Sequence, residues 1–222
     1  MVIAIDGPAA SGKSSTAQWV AEQLGYLHVD SGSLYRALTA ALLRRGAPPE
    51  RWTPATMVAH GERVALRADV TSFTALIDGQ PAEEEIRGGL VTEHVSQVAR
   101  VPEVRRWVNA AVRRTAEEHD VVVDGRDMGT AVFPDAPLKI FLVADPWERA
   151  RRRLTQRHGR RPTDEEIAAE TDVIVQRDAR DATQTVQAKD AVLLDTTYLT
   201  QAEQVERIVA LARAVSQRTP VT

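Results

Sequence analysis

The sequence contains no cysteine among its 222 residues. This absence excludes disulfide bonds, thiolate nucleophiles and cysteine-based zinc sites. It also agrees with a reducing compartment, and we expect the protein to be cytoplasmic. The chain opens without a basic stretch, and its first apolar run is too short for a signal peptide.

The sequence also has no excess of positive charge and no long apolar run. Lys and Arg together number 28 against 31 Asp and Glu, which gives a net charge of −3. We therefore expect no nucleic-acid partner. No run of about 20 apolar residues is present, so we expect no membrane span. The length fits one domain over residues 1–222, with room for a small insertion.

Short apolar runs alternate with helical patterns along most of the chain. The runs are rich in β-branched residues and lack polar breaks, which is typical of strands buried on both faces of a sheet. The alternation predicts an α/β fold with a parallel five-stranded sheet and flanking helices. The predicted strands occupy residues 2–5, 27–29, 121–123, 138–143 and 191–194.

The pattern changes between about residues 62 and 99, where we predict an insertion. Apolar and polar residues alternate over residues 62–81, which predicts a small antiparallel sheet with one solvated face. A helical pattern follows over residues 86–99. Further along, Thr163 and Glu166 have the spacing of a capping box and predict the start of a long helix.

The segment after the first predicted strand matches the phosphate-loop pattern G-x-x-x-x-G-K-[ST] at every specified position. Its glycines let successive backbone N–H groups point at a phosphate, and the following helix contributes its N-terminal dipole. In this pattern the lysine reaches the β- and γ-phosphates, and the hydroxyl binds Mg²⁺. A P-loop NTPase fold follows. The expected ATP-binding residues are Gly7, Pro8, Ala9, Ala10, Ser11, Gly12, Lys13, Ser14 and Ser15, with Ser14 as the metal ligand.

Other motifs distinguish among phosphate-loop proteins. The chain has no N/T-K-x-D segment for guanine and no strand ending in Asp-Glu, which argues against GTPases and transporter-type ATPases. Polar clusters instead follow two other strands and lie on a long helix, at residues 30–36, 124–130 and 177–181. The carboxyl ends of parallel strands are where such sheets bind ligands. An acceptor that carries both phosphate and hydroxyl groups would suit these clusters.

Five segments, in order and spacing, resemble bacterial cytidylate kinases over roughly residues 2–211. They are Asp-Gly-Pro-x-x-Ser-Gly-Lys from Asp6, Asp-Ser-Gly-x-x-Tyr-Arg from Asp30, Ser-Gln-Val-Ala from Ser96, Asp-Gly-Arg-Asp-Met-Gly-Thr-x-Val-Phe-Pro-Asp-Ala from Asp124 and Arg-Asp-x-x-Asp from Arg177. The resemblance implies transfer of the γ-phosphoryl group of ATP to CMP or dCMP, with Mg²⁺, in pyrimidine nucleotide metabolism. A preference for UMP or AMP, and an ATP-binding regulatory module without transfer activity, are the alternatives.

The resemblance also implies roles for individual residues. Transition-state charge would be neutralised by Lys13, Arg126, Arg157 and Arg161, the last two on a mobile lid over about residues 155–178. The acceptor would lie against a segment of about residues 30–100. Its phosphate is assigned to Arg36 and Arg126, its base to Ser96, Arg105 and Asp127, its ribose to Arg177 and Asp181, and its pocket wall to Ser31 and Tyr35. Asp30 is assigned to the phosphates and metal, with a helix cap as the alternative.

One position departs from the family pattern. The family usually carries an arginine three residues after the last Asp of Arg-Asp-x-x-Asp, where this chain has Gln184. Glutamine keeps hydrogen-bonding capacity but loses the charge, so we expect Arg180 to take over part of the acceptor contact. We expect no general base, because the acceptor phosphate is already ionised near neutral pH, and we expect a monomer.

Overall fold

The computed structural model describes residues 1–218. The strands are β1 (Val2–Asp6), β2 (Leu27–Asp30), β3 (Val64–Ala68), β4 (Phe73–Ile77), β5 (Gln80–Pro81), β6 (Val121–Gly125), β7 (Leu138–Val143) and β8 (Val192–Asp195). The helices are α1 (Lys13–Leu24), α2 (Ser31–Arg44), α3 (Pro54–His60), α4 (Glu83–Ile86), α5 (Gly89–Ala99), α6 (Pro102–Glu118), α7 (Pro146–His158), α8 (Asp164–Asp181) and α9 (Gln201–Arg218).

The main sheet is parallel and has five strands in the order β2-β6-β1-β7-β8, which confirms the predicted fold. Strand β1 lies at its centre, where Ile3 is level with Val122 on one side and Leu138 on the other. Side chains alternate between the faces, so Ala4 packs with α2 and α6 while Ile3 packs with α1 and α9. Both faces are therefore covered, and the carboxyl ends of the strands form one open edge.

The predicted antiparallel sheet is also present. Strands β3, β4 and β5 pair in that order, with Val64 opposite Ile77. Val64 and Ile77 are buried, whereas Ala65 and Arg67 are exposed, as the alternating pattern predicts for a sheet with one wet face. Ala68, which the same pattern places on the buried face, is exposed at the end of β3. The sheet packs on α2 next to the edge that carries the polar clusters.

The helix predicted over residues 86–99 is wrong at its start. Helix α4 ends at Ile86, and α5 begins only at Gly89. Gly88 lies between them with extended backbone angles, φ −61° and ψ 161°, and makes no side-chain cap. Glycine favours such interruptions because ordering it in a helix costs more conformational entropy than ordering any other residue. The break turns Arg87 towards the open edge of the sheet, where it lines the cavities described below.

The two longest helices are amphipathic. Helix α9 buries Val205 and Ile208 against the sheet, and α8 buries Ile167 and Ile174 against α7. Helix α8 begins with the predicted capping box, in which Thr163 and Glu166 each bond the other's backbone N–H. Within residues 1–218, no helix combines the length and the apolar composition needed to cross a lipid bilayer.

Candidate active site

The phosphate loop joins β1 to α1 and has an unusual backbone. Gly7 has φ 151°, and a Cβ placed on it would lie 2.3 Å from the carbonyl oxygen of Leu142. Ala10 is left-handed with φ 56° although it is not glycine. The Lys13 ammonium folds back over the loop, 2.6 Å from the carbonyl oxygen of Pro8 and 3.4 Å from the hydroxyl of Ser11. The loop is therefore curled around a single point, as a phosphate requires.

Two buried charges flank this loop. Burial, and then the charge of Arg126, lower the pKa of Lys13 to about 7. Burial raises the pKa of Asp6 to about 6, although its carboxylate accepts hydrogen bonds from the N–H groups of Met128 and Gly129. Because burial is the leading cause in both cases, an anion bound at the loop would restore the charged form of Lys13.

A second polar cluster lies where β2 and β6 end. The Ser14 hydroxyl donates to Asp124 Oδ2 at 2.7 Å, and His28 Nε2 lies 2.7 Å from Asp124 Oδ1. Burial lowers the pKa of His28, but the hydrogen bond and charge of Asp124 outweigh burial and raise it overall. Asp30 stands at the start of α2 and makes no side-chain cap hydrogen bond, so the capping alternative is wrong. Its carboxylate lines the adjoining cavity.

This adjoining cavity, the acceptor cavity, has a volume of about 210 Å³. Three arginines at its phosphate-loop end come from α2, α8 and the segment after β6. Arg36 donates to the carbonyl oxygen of Ile86 and to Thr92, while Arg126 donates to the carbonyl oxygen of Gly7. Burial, followed by the charges of Arg126 and Arg36, lowers the pKa of Arg177 to about 10. Cations that repel one another in this way favour a multiply charged anion between them.

Asp181 joins two of these arginines. One of its carboxylate oxygens lies 3.5 Å from Arg126 Nη2 and 3.6 Å from Arg177 Nε. The Asp181 side chain is buried, and it lines the acceptor cavity together with Ser31 and Gln184. A carboxylate in this place accepts hydrogen bonds from hydroxyl groups as readily as from guanidinium groups.

The far end of the acceptor cavity has a different character. Asp127 and Arg105 form an ion pair there, and the Arg105 guanidinium lies 5.9 Å from the centre of the Tyr35 ring. Ser96 is buried in the same wall. Burial raises the pKa of Tyr35 to about 12, and its hydroxyl has no hydrogen-bond partner among the described residues. These polar groups suit a planar ring that carries both donors and acceptors.

A larger cavity, the donor cavity, opens on the other side of the phosphate loop and has a volume of about 640 Å³. Its walls come from the phosphate loop, α7 and the start of α9. The two cavities meet at the loop, and the residues common to both are Ala10, Lys13, Ser14, Arg36, Arg87 and Arg177. Groups bound in the two cavities would therefore be in contact across a ring of positive charge.

Most of the predicted site residues line these cavities, but Gly7, Pro8, Ala9 and three arginines do not. The N–H group of Ala9, which was predicted to face a phosphate, donates to Asp178 instead. Arg157 is exposed on α7 with its Nη1 3.6 Å from Glu170 Oε2, and Arg161 is exposed in the loop after α7. Arg180 is exposed on α8 and donates to the carbonyl oxygen of Gln176. None of the three lines either cavity.

The structure adds residues that sequence reasoning missed. Arg87 lines both cavities and lies 3.8 Å from Asp30. Arg153 lines the donor cavity with its Nε 3.1 Å from Glu170 Oε1. Arg152 donates to the carbonyl oxygens of Thr196 and Thr197, which fixes the loop before α9. Further wall residues of the donor cavity are Gln156, Leu199, Thr200, Gln201 and Gln204. The cluster of arginines in the α7 sequence is the feature from which a phosphate-binding wall could have been predicted.

Comparisons with known proteins agree with this geometry. A family profile described as cytidylate kinase matches residues 3–214. A cytidylate kinase from Salinibacter ruber is 40% identical over 230 residues, covering 98% of this chain and 99% of that protein. A bifunctional pantoate ligase/cytidylate kinase from Synechococcus sp. is 41% identical over 98% of this chain, which spans only 41% of that longer protein. A solved shikimate kinase from Bacteroides thetaiotaomicron has a TM-score of 0.50 at 15% identity, covering 98% of each chain, and shares the fold.

Proposed function

The chain belongs to the cytidylate kinase family, and we propose that it transfers the γ-phosphoryl group of ATP to CMP or dCMP. The products are ADP and CDP or dCDP. One observation carries the proposal: two cavities of different character meet at the phosphate loop and share Lys13, Arg36, Arg87 and Arg177. A site for hydrolysis alone would need no second cavity with a ring-binding end.

The reaction needs positioning and charge neutralisation more than covalent help from the protein. An oxygen of the acceptor phosphate forms a bond to the γ-phosphorus, the bond from that phosphorus to the β,γ-bridging oxygen breaks, and ADP takes the electron pair. The acceptor oxygen is already ionised, so no general base is required. Lys13, Arg36 and Arg126 neutralise the charge that develops, and closure of the lid would keep water from replacing the acceptor.

A magnesium ion fits the same place. The hydroxyl of Ser14 and the carboxylates of Asp30 and Asp124 offer oxygen atoms beside the phosphate loop, the donors that Mg²⁺ prefers. No group of three His, Asp or Glu residues that could hold a metal ion occurs within residues 1–218, so phosphate oxygens would complete the coordination. When bound, Mg²⁺ would withdraw negative charge from the phosphates of ATP.

The acceptor base and ribose are read by the far end of the acceptor cavity. We assign the exocyclic amine of cytosine to the Asp127 carboxylate, with Arg105 and Ser96 on the neighbouring ring atoms and Tyr35 along the wall. Arg105 holds Asp127 in place through their ion pair. Asp181, oriented by Arg126 and Arg177, accepts hydrogen bonds from the ribose hydroxyls.

We assign residues of about 30–100 to acceptor binding and about 155–178 to a lid over the donor. The lid assignment rests on the basic connection between α7 and α8, which would bring Arg157 and Arg161 closer to ATP on closure. Arg153 and Arg177 already line the donor cavity and carry this role in the present conformation. We also propose a monomer, because one chain supplies the walls of both cavities. We propose a cytoplasmic location as well, which suits a chain without cysteine.

Replacing Asp127 by Asn tests the base assignment. We expect kcat/KM for CMP to fall about tenfold to a hundredfold, which corresponds to one hydrogen bond to a charged group. Turnover of UMP should fall much less, so the CMP to UMP ratio narrows. Asp135→Asn is the matched control, because Asp135 belongs to the same sequence block but is exposed and outside both cavities. Equal losses for CMP and UMP would show that Asp127 does not read the base.

A further inference from the structure

Two side chains from α7 and α8 hold one residue of the phosphate loop. The N–H group of Ala9 donates to Asp178 Oδ1 at 2.9 Å, and Arg149 Nη1 donates to the carbonyl oxygen of Ala9 at 2.7 Å. The same Arg149 nitrogen lies 2.6 Å from Asp178 Oδ2. Arg149 and Asp178 thus close a ring around both backbone groups of Ala9, and we name this arrangement the Ala9 clamp.

The Ala9 clamp pairs a buried arginine with a partly buried aspartate. The Arg149 side chain is 5% exposed and the Asp178 side chain 25%. A buried pair adds little net stability, because removing two charges from water offsets most of their attraction. Arg149 Nε also has no hydrogen-bond partner among the described residues. Stability alone therefore does not account for the ion pair. Its hydrogen bonds to the backbone of Ala9 point to a role in holding the phosphate loop.

The clamp lies directly before the strained part of the loop. Ala10 follows with φ 56°, a left-handed conformation that costs a residue with a side chain about 1–2 kcal/mol. The N–H group of Ala9 is taken by Asp178 and is not offered to a phosphate, so it acts as a fixed anchor for the residues that follow. Anchoring Ala9 from both sides holds the curl in which Lys13 and the loop N–H groups would face an anion.

The other end of the clamp sets the position of two arginines. Arg177 precedes Asp178 on α8, and Arg153 lies one helical turn after Arg149 on α7. Both arginines line the donor cavity, and Arg177 also lines the acceptor cavity. The two residues that hold the loop therefore also fix how far these guanidinium groups stand from a phosphate bound there.

We propose that Arg149 and Asp178 are positioning residues for phosphoryl transfer. They hold the phosphate loop in its anion-binding conformation. Through the same contacts they fix the positions of Arg153 on α7 and Arg177 on α8 relative to the transferred phosphoryl group. The inference rests on the proposed function in one respect, namely that ATP binds at this loop. It assigns a role to a pair that lines neither cavity.

The test measures ATP affinity without any acceptor, and then kcat with CMP, across a set of variants. Asp178→Ala removes both contacts, and we expect it to raise the Kd for ATP about tenfold to a hundredfold and to lower kcat. Asp178→Asn keeps an acceptor for the Ala9 N–H group, and Arg149→Lys keeps a charge, so both should recover part of the loss. The double variant Arg149→Met/Asp178→Ala should lose less than the sum of the losses in Arg149→Met and Asp178→Ala, because the two residues share one ion pair.

Arg151→Gln is the matched control, since Arg151 lies on the same helix in an exposed ion pair with Glu148. It should leave ATP affinity and kcat unchanged. The inference is overturned if folded Asp178→Ala binds ATP within about twofold of the unmodified chain and keeps its kcat. Should Asp178→Ala fail to fold, Asp178→Asn and Arg149→Lys decide the matter, and ordinary ATP affinity and kcat in both would overturn it. Tight ATP binding without CMP turnover in the unmodified chain would instead refute the proposed function.

Discussion

Asp6 is expected to make folding stability fall as pH rises through the weakly acidic range. The residue is 3% exposed, and its two carboxylate oxygens accept the N–H groups of Met128 and Gly129, each at 2.8 Å. Burial raises its pKa from 3.8 to about 6 despite these bonds. Asp6 joins the start of the phosphate loop to the segment that carries Arg126 and Asp127, so its titration acts at the centre of the site.

The sign follows from comparing the folded and unfolded chains. Between the unfolded pKa of 3.8 and the folded pKa of about 6, the folded state holds a proton that the unfolded state has released. The free energy of unfolding therefore has its full contribution from Asp6 below the lower value and loses it as pH rises through the higher one. A gap of about two pKa units corresponds to about 3 kcal/mol.

The assay is urea unfolding of the unmodified chain and Asp6→Asn at several pH values between about 4 and 7. The difference in unfolding free energy, unmodified minus variant, should fall by about 2 kcal/mol across this range, because asparagine does not titrate and pH 4 already lies above the unfolded pKa. Asp135→Asn, which changes an exposed carboxylate, should show no comparable slope. A flat difference for Asp6→Asn, or one that rises with pH, would refute the reasoning.

Three further substitutions test other parts of the account. Gln184→Arg adds a guanidinium to the acceptor cavity and should lower the KM for CMP about threefold to tenfold at saturating ATP; an unchanged KM would contradict this. Gly7→Ala places a Cβ 2.3 Å from the Leu142 carbonyl oxygen and should abolish ATP binding in calorimetry, so ordinary affinity would refute the described loop. Gly61→Ala places a Cβ 2.9 Å from Trp107 and should lower the free energy of unfolding by about 1–3 kcal/mol without changing kcat.

The fold and the phosphate loop were predictable because their signals are local. Strand β1 is a short run of apolar residues, and the loop motif follows it directly, so neither depends on distant residues. The interruption at Gly88 was not predicted, because the apolar pattern continues across it and hides the loss of helical structure. Apolar sequence patterns therefore predict that a helix or strand exists more reliably than they predict its first residue.

The candidate site was predictable only in part. Arg36, Arg126 and Asp127 follow strands whose ends meet at one edge, and topology alone brings them together. Arg153 and Arg157 both lie on α7, and the sequence does not say which of them faces the donor cavity. The packing of α7 on α8 decides this, since it turns Arg153 inward and leaves Arg157 half exposed.

The most direct test of the central claim is ADP release from Mg²⁺-ATP with CMP, dCMP, UMP, AMP, GMP or no acceptor. We predict strong turnover with CMP and dCMP, weak turnover with UMP, and almost none without an acceptor. Such a result requires both a base-reading acceptor cavity and a donor site closed to water. If no acceptor raised ADP release above the acceptor-free rate, phosphoryl transfer by this site would be contradicted.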